Sequence, residues 1–173
     1  MSTPRSERAR AKPARESRVD MVEIVLPNDA NTLGNVLGGR VLHWIDLAAA
    51  VVAHRHCRTE AVTASLDQMS FLAPIRVGQL AVITARMTQA WRHSMEIRVD
   101  VQSEDLLTGR RKQTSTAFLT FVAVDPRGRA ALVPPLLLET EEERREAHAA
   151  DARRRARLKE RSSRTPKRET KNG

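Results

Sequence analysis

The 173-residue chain carries 30 Lys and Arg against 21 Asp and Glu, a formal net charge of +9, and 40% of its residues are hydrophobic. That length suits one domain and leaves little for a second core. The charge lies at the ends: residues 1–18 and 139–173 carry +4 each, and residues 19–138 only +1. This distribution, with three Phe, two Trp and no Tyr, argues against a nucleic-acid-binding body. One cysteine excludes an internal disulfide and points to a reducing cytoplasm. No apolar run reaches the length of a membrane span. Both ends are poor in large apolar residues, so residues 1–18 and most of 139–173 are expected to be disordered. Within the second, Glu139 to Glu160 suits a solvated helix, with glutamates first and arginines later.

Taken in order, Val19 to Leu26 alternates and predicts a short strand ended by Pro27. Asn28 to Gly38 has loop composition. Gly39 to about Cys57 is the one long apolar helix, and its alanines at 48, 49, 50 and 53 permit close packing. Beyond Glu60 the period changes to two. Ala61 to Phe71, Leu80 to Ala90, Ser94 to Ser103 and Arg111 to Val124 predict strands joined by short turns, and hence antiparallel pairing. The expected class is α+β, one long helix against a curved antiparallel sheet of about five strands. A single helix barely covers such a sheet, so self-association is expected.

From Val41 to Ala53 the only formally charged residue is Asp46. Helical spacing places it on a face with Leu42, Ala49, Ala50 and Ala53. A carboxylate in such surroundings loses hydration and requires hydrogen-bond partners or a chemical role. A buried structural acid is the competing reading. The Gly38-Gly39 pair opening the helix is a weak signal by itself.

Several strings together resemble the acyl-CoA hydrolases of the hotdog fold, in the branch of the bacterial short-chain and vertebrate brain-type enzymes. They are Asn28-Asp-Ala-Asn31-x-x-Gly34-Asn35-Val-x-Gly38-Gly39, Trp44-Ile-Asp46-Leu-Ala48, and Ala53-His-Arg-His-Cys57. Further along come Val62-Thr-Ala-Ser-Leu-Asp67, Phe71-Leu-Ala-Pro-Ile-Arg-Val-Gly78, His93-Ser-Met-Glu96, Thr120-Phe-Val-Ala-Val-Asp125 and Val133-Pro-Pro135. The likeness spans about Val19 to Pro135 and leaves the tails aside. It implies a central helix wrapped by the sheet, paired into dimers that assemble as trimers of dimers. It also implies hydrolysis of an acyl-CoA thioester without a cofactor, CoA being part of the substrate. Asp46 stands at the family's acidic position and Asn35 at its active-site Asn. Leu37 departs from the pattern, since many relatives carry His or Phe there.

The residues suit that chemistry. A helix N-terminus offers unpaired N–H groups and the positive end of a dipole to a developing oxyanion. Gly38 and Gly39 let a bulky thioester approach that backbone. Asp46 would take the proton of water as general base, with direct attack through an anhydride as the alternative. Arg92 and His93, beside Ser94, are the first candidates for CoA contacts, and Arg110, Arg111 and Lys112 the second. Phe71 and Met69 are candidates for the acyl tunnel or the core. His54, His56 and Cys57 are poorly spaced for a metal, and none is expected. A hydratase using His43 with Asp46, and an acyl-CoA sensor without turnover, are the alternative functions.

Overall fold

The computed structural model describes residues 10–164, so the expectations for residues 1–9 and 165–173 lie outside it. In chain order its elements are β1 (Lys12–Pro13), β2 (Val19–Ile24), α1 (Gly38–Cys57), β3 (Glu60–Leu66), β4 (Leu80–Ala90), β5 (Ser94–Glu104), β6 (Arg111–Val124), β7 (Leu136–Leu137) and α2 (Glu141–Arg164). Five strands form one antiparallel sheet in the order β2-β4-β5-β6-β3, and β1 pairs in parallel with β7. No helix among the described residues is long and apolar enough to cross a membrane.

Alternation along the strands builds the two faces. Met95, Ile97, Val99 and Val101 of β5 are buried, as are Leu119 and Phe121 of β6 and Ile83 of β4. Val41, Trp44, Ile45, Ala48, Ala49, Val52 and Ala53 of α1 join them in one core. The alanines bring the helix axis close to the sheet, so a single helix fills the concave side. Strand β3 ends at Leu66 rather than at the expected Phe71. A bulge between Thr63 and Ser65 bends this edge strand. The following loop is then held by Asp67 N–H to Phe118 O and Leu72 N–H to Thr114 O.

The disorder expected of the N-terminal segment does not describe residues 10–18, and α2 occupies the stretch expected as a solvated helix but continues to Arg164 and is docked on the sheet. Lys12 Nζ donates to the carbonyls of Arg55 and His56, covering the C-terminus of α1. Arg15 bonds Glu139, which ties the segment before β2 to the residues preceding α2. Helix α2 docks on the outer face of the sheet through charge. Glu146 meets Arg86 and Arg98 at 2.8 and 2.6 Å, and Glu96 meets Arg153 and Arg157 at 2.6 and 2.9 Å. Arg153 also lies 3.8 Å from the Phe118 ring centre. Ala147 and Ala150 are small enough to be buried beneath the helix. A reading that weighs large apolar side chains cannot see this contact.

Two groups make the packing testable. Glu96 is fully buried. Burial alone would raise its carboxyl, but bonds from Arg153, Thr88 and Arg157 hold it below the usual carboxylate range. Arg153→Ala removes the closest of these partners and is expected to lower stability by about 1.5–3 kcal/mol, read by denaturant unfolding.

His56 is also fully buried, with Nε2 2.9 Å from Pro134 O and Nδ1 3.3 Å from Ser17 Oγ. The carbonyl only accepts, so Nε2 carries the proton and the neutral ring takes the hydroxyl hydrogen on Nδ1. Burial, opposed by the Pro134 bond, holds this imidazole below its ordinary value. The unfolded chain therefore binds the extra proton first. The contribution of His56 to stability is complete above pH 6.5 and is lost as pH falls through the lower folded value. Melting temperatures between pH 7.5 and 5 should fall with acidity, and His56→Gln should flatten that part of the curve.

Candidate active site

The loop before α1 fixes where the helix begins. Asp29 accepts the Leu26 N–H at 3.2 Å and pairs with Arg40 at 2.9 Å, while its carbonyl receives the Leu37 N–H. Asn31 Oδ1 accepts the N–H groups of Leu33 and Asn35 at 3.0 and 3.2 Å. Gly34 takes the left-handed turn at φ +73°, so Asn35 is not needed there for its backbone. The half-buried Asn35 side-chain amide has no hydrogen bond among the described residues.

Neither glycine at the helix start serves the backbone. Both have negative φ. A Cβ at Gly39 would meet nothing within 4 Å, and one at Gly38 would stand 3.5 Å from the Phe71 ring, an ordinary contact. The Gly38 and Gly39 N–H groups have no acceptor among the described residues, as the start of a helix requires. The structure therefore brings Gly38, Gly39, Phe71 and the Asn31–Asn35 loop together around open amides.

Asp46 lies elsewhere on α1. In the single chain it is exposed, which corrects the expectation of a carboxylate sunk among Leu42, Ala49, Ala50 and Ala53. Ala49 and Ala53 face the sheet, whereas Asp46 shares the outward flank with exposed Leu47 and Val51. Its Oδ1 accepts a 2.7 Å hydrogen bond from Thr63 Oγ1 on the edge strand β3. A threonine in a strand reads as β-propensity, so its role in holding the acid is invisible without the fold. Asp46 lies eight positions beyond Gly38, and at the helical rise they stand about 12 Å apart along the axis.

Arg92, His93 and Ser94 fall at the other end of α1. The Arg92 carbonyl receives the Val133 N–H, the His93 Nδ1–H donates to Ala131 O at 2.8 Å, and Ser94 Oγ meets Arg154. Pro134, beside them, meets His56 at the helix C-terminus. Helix α1 has 20 residues, roughly 30 Å at the helical rise, so the structure does not bring these three to Gly38 of the same chain. Arg110, Arg111 and Lys112 lie at the end where α1 begins, sharing a recess with Arg76, whose backbone pairs with Asn35. Met69 packs on the core, and His43 is exposed.

The thioesterase superfamily profile matches residues 33–109. An uncharacterized acyl-CoA thioester hydrolase of Bacillus subtilis, YkhA, is 42% identical over 75% of this chain and 75% of its own length. The chain belongs to the thioesterase superfamily. The hotdog architecture of this thioesterase is shared with a crystal structure of an apo-hexameric acyl-CoA thioesterase. That structure is 40% identical, with a TM-score of 0.85 over 90% of this chain and 99% of the other. It is also shared with the acyl-CoA hydrolase of Staphylococcus aureus, solved with butyryl-CoA and CoA. That protein is 31% identical, with a TM-score of 0.81 over 88% of this chain and 95% of the other. Variants of the staphylococcal protein replace an Asn, an Asp and a Thr by Ala, spaced fifteen and then seventeen residues apart. In this thioesterase Asn31, Asp46 and Thr63 have the same two spacings.

Because nothing in the fold requires glycine at position 39, Gly39→Ala should leave melting unchanged or raise stability by up to about 1 kcal/mol. Thermal unfolding measures this directly.

Proposed function

We propose that this protein hydrolyses acyl-CoA thioesters to a free carboxylic acid and CoA, with Asp46 as general base. The observation carrying this reading is the Asp46 carboxylate, oriented through one oxygen by Thr63 at 2.7 Å. Asp46 removes a proton from water, and the water oxygen bonds to the thioester carbonyl carbon. The carbonyl oxygen gathers negative charge and takes hydrogen bonds from the open amides at Gly38 and Gly39. Collapse of that adduct breaks the C–S bond, and the departing sulfur takes up the proton. No resident cofactor takes part.

A separation of about 12 Å on one helix is too long for an acid and an amide to serve one carbonyl with one water. The reading therefore joins Asp46 of one protomer to the helix opening of a second copy. Exposed Leu47 and Val51 beside Asp46, and Val62 beside Thr63, support burial by that copy. A dimer, and a hexamer built from it, is the assembly proposed, in the cytoplasm. Asn31 and Asn35, on the loop entering α1, would orient substrate or water. The spacing in the staphylococcal variants favours Asn31 for direct contact, with Asn35 hydrogen-bonded to it. Phe71 would form the wall of the acyl site against Gly38. Arg92, His93 and Ser94 would reach substrate only from a neighbouring protomer. His43, the base a hydratase would need, makes no hydrogen bond to Asp46 among the described residues, which favours the hydrolase reading.

Asp46→Ala should fold normally and lower acyl-CoA turnover by about 10²–10⁴-fold, measured with a thiol-detecting dye over a chain-length panel. Full turnover by the folded variant would overturn the reading. Refolding Asp46→Ala together with Gly39→Val should recover activity that neither variant shows alone, because mixed dimers regain one intact site.

A further inference from the structure

We infer that Arg157 of α2 is a positioning residue for the reaction, acting through Asp67 on a segment that serves both Asp46 and the helix opening; this rests on the proposed hydrolysis. Residues 63–71 run from within β3 into the loop that follows it. At one end Thr63 Oγ1 donates to Asp46 at 2.7 Å. At the other the Phe71 ring stands 3.5 Å from where a Cβ on Gly38 would lie. Asp67 is four positions after Thr63 and four before Phe71. Its Oδ2 accepts a 2.7 Å hydrogen bond from Arg157 Nη1. Arg157 thus holds the middle of the segment, ninety residues along the chain.

The hold has a firm anchor. Arg157 Nη2 donates to Glu96 Oε2 at 2.9 Å, and Glu96 is fully buried on β5. Strand β6 lies between β5 and β3, so one guanidinium crosses it and ties the segment to the middle of the sheet. The Arg157 and Asp67 side chains are 20% and 21% exposed, so water and salt screen this pair less than a surface pair. A planar guanidinium fixes the two carboxylates relative to each other, which a flexible ammonium does not. The segment needs such a brace. Strand β3 is the edge of the sheet, and its register is interrupted between Thr63 and Ser65. Beyond Leu66 two backbone bonds to β6 and the packing of Met69 restrain the chain. Glu146 and Arg153 differ from Arg157, since they meet β4, β5 and the Phe118 ring rather than this segment.

The test measures kcat and KM over a panel of acyl-CoAs for Arg157→Met, Asp67→Asn and the double variant. Arg157→Lys is the conservative variant, and Arg153→Met controls for weaker docking of α2. The expected result is a fall in kcat of about tenfold or more in Arg157→Met and Asp67→Asn, with KM little changed. The double variant should be no worse than either single one, and Arg157→Lys should recover part of the loss. Arg153→Met should keep wild-type kcat wherever it is folded. Hydrogen exchange at the Asp67 and Leu72 amides should quicken in Arg157→Met and not in Arg153→Met. Asp67→Asn leaves Arg157 paired with Glu96, so it reports even if Arg157→Met fails to fold. Unchanged kcat in the folded variants, an equal loss in Arg153→Met, or additive losses in the double variant would overturn the role. If wild type hydrolyses no acyl-CoA, the hydrolase reading falls, and the exchange comparison still decides whether Arg157 holds the segment.

Discussion

An α-helix advances 1.5 Å per residue, and this fixed rise governs how the candidate site has to be assembled. Asp46 and the amides opening α1 belong to the same rigid element, yet stand too far apart to act on one carbonyl. On the proposed reading the single chain therefore presents two half-sites. One is a carboxylate oriented by the edge strand through Thr63. The other is a helix opening wrapped by the Asn31–Asn35 loop and Phe71. Exposed apolar side chains beside the first half-site give a physical reason for the two to meet across copies of the chain.

Both half-sites rest on how α1 is seated. Its alanine-rich inner face lies close on the sheet, and its two ends are tied by different means. Asp29 binds Arg40 and the backbone near the start, while Lys12 and the Ser17–His56–Pro134 contacts secure the end. The outer face of the sheet follows another rule. There α2 is held by Glu146, Arg153 and Arg157 against Arg86, Arg98 and Glu96, so a helix of low hydrophobicity is ordered by charge, cation–π contact and small buried alanines.

Much of the fold was legible because periodicity is a local property. Leu80–Ala90 and Arg111–Val124 occupy the residues their alternation predicts, and α1 differs by a single residue at its start. The docking of α2 was not legible, because Glu96 and Arg98 look like a solvated face until their partners on α2 appear about fifty residues later. The exposure of Asp46 was equally hidden: helical spacing groups it with Ala49 and Ala53 but cannot say which flank of that stripe meets the sheet.

The sequence by itself determined the element order, the helix that bears Asp46 and the glycine pair that opens it. It also carried the family likeness, through strings of adjacent residues. Only the tertiary structure decided that Thr63 holds Asp46, that Arg92 and His93 lie at the far end of α1, and that Arg76 joins Lys112 in one recess. The reason is physical. Spacing along a chain fixes directions within one helix or strand, whereas contacts between elements depend on sheet order, register and the bulge in β3, which no short stretch of residues encodes.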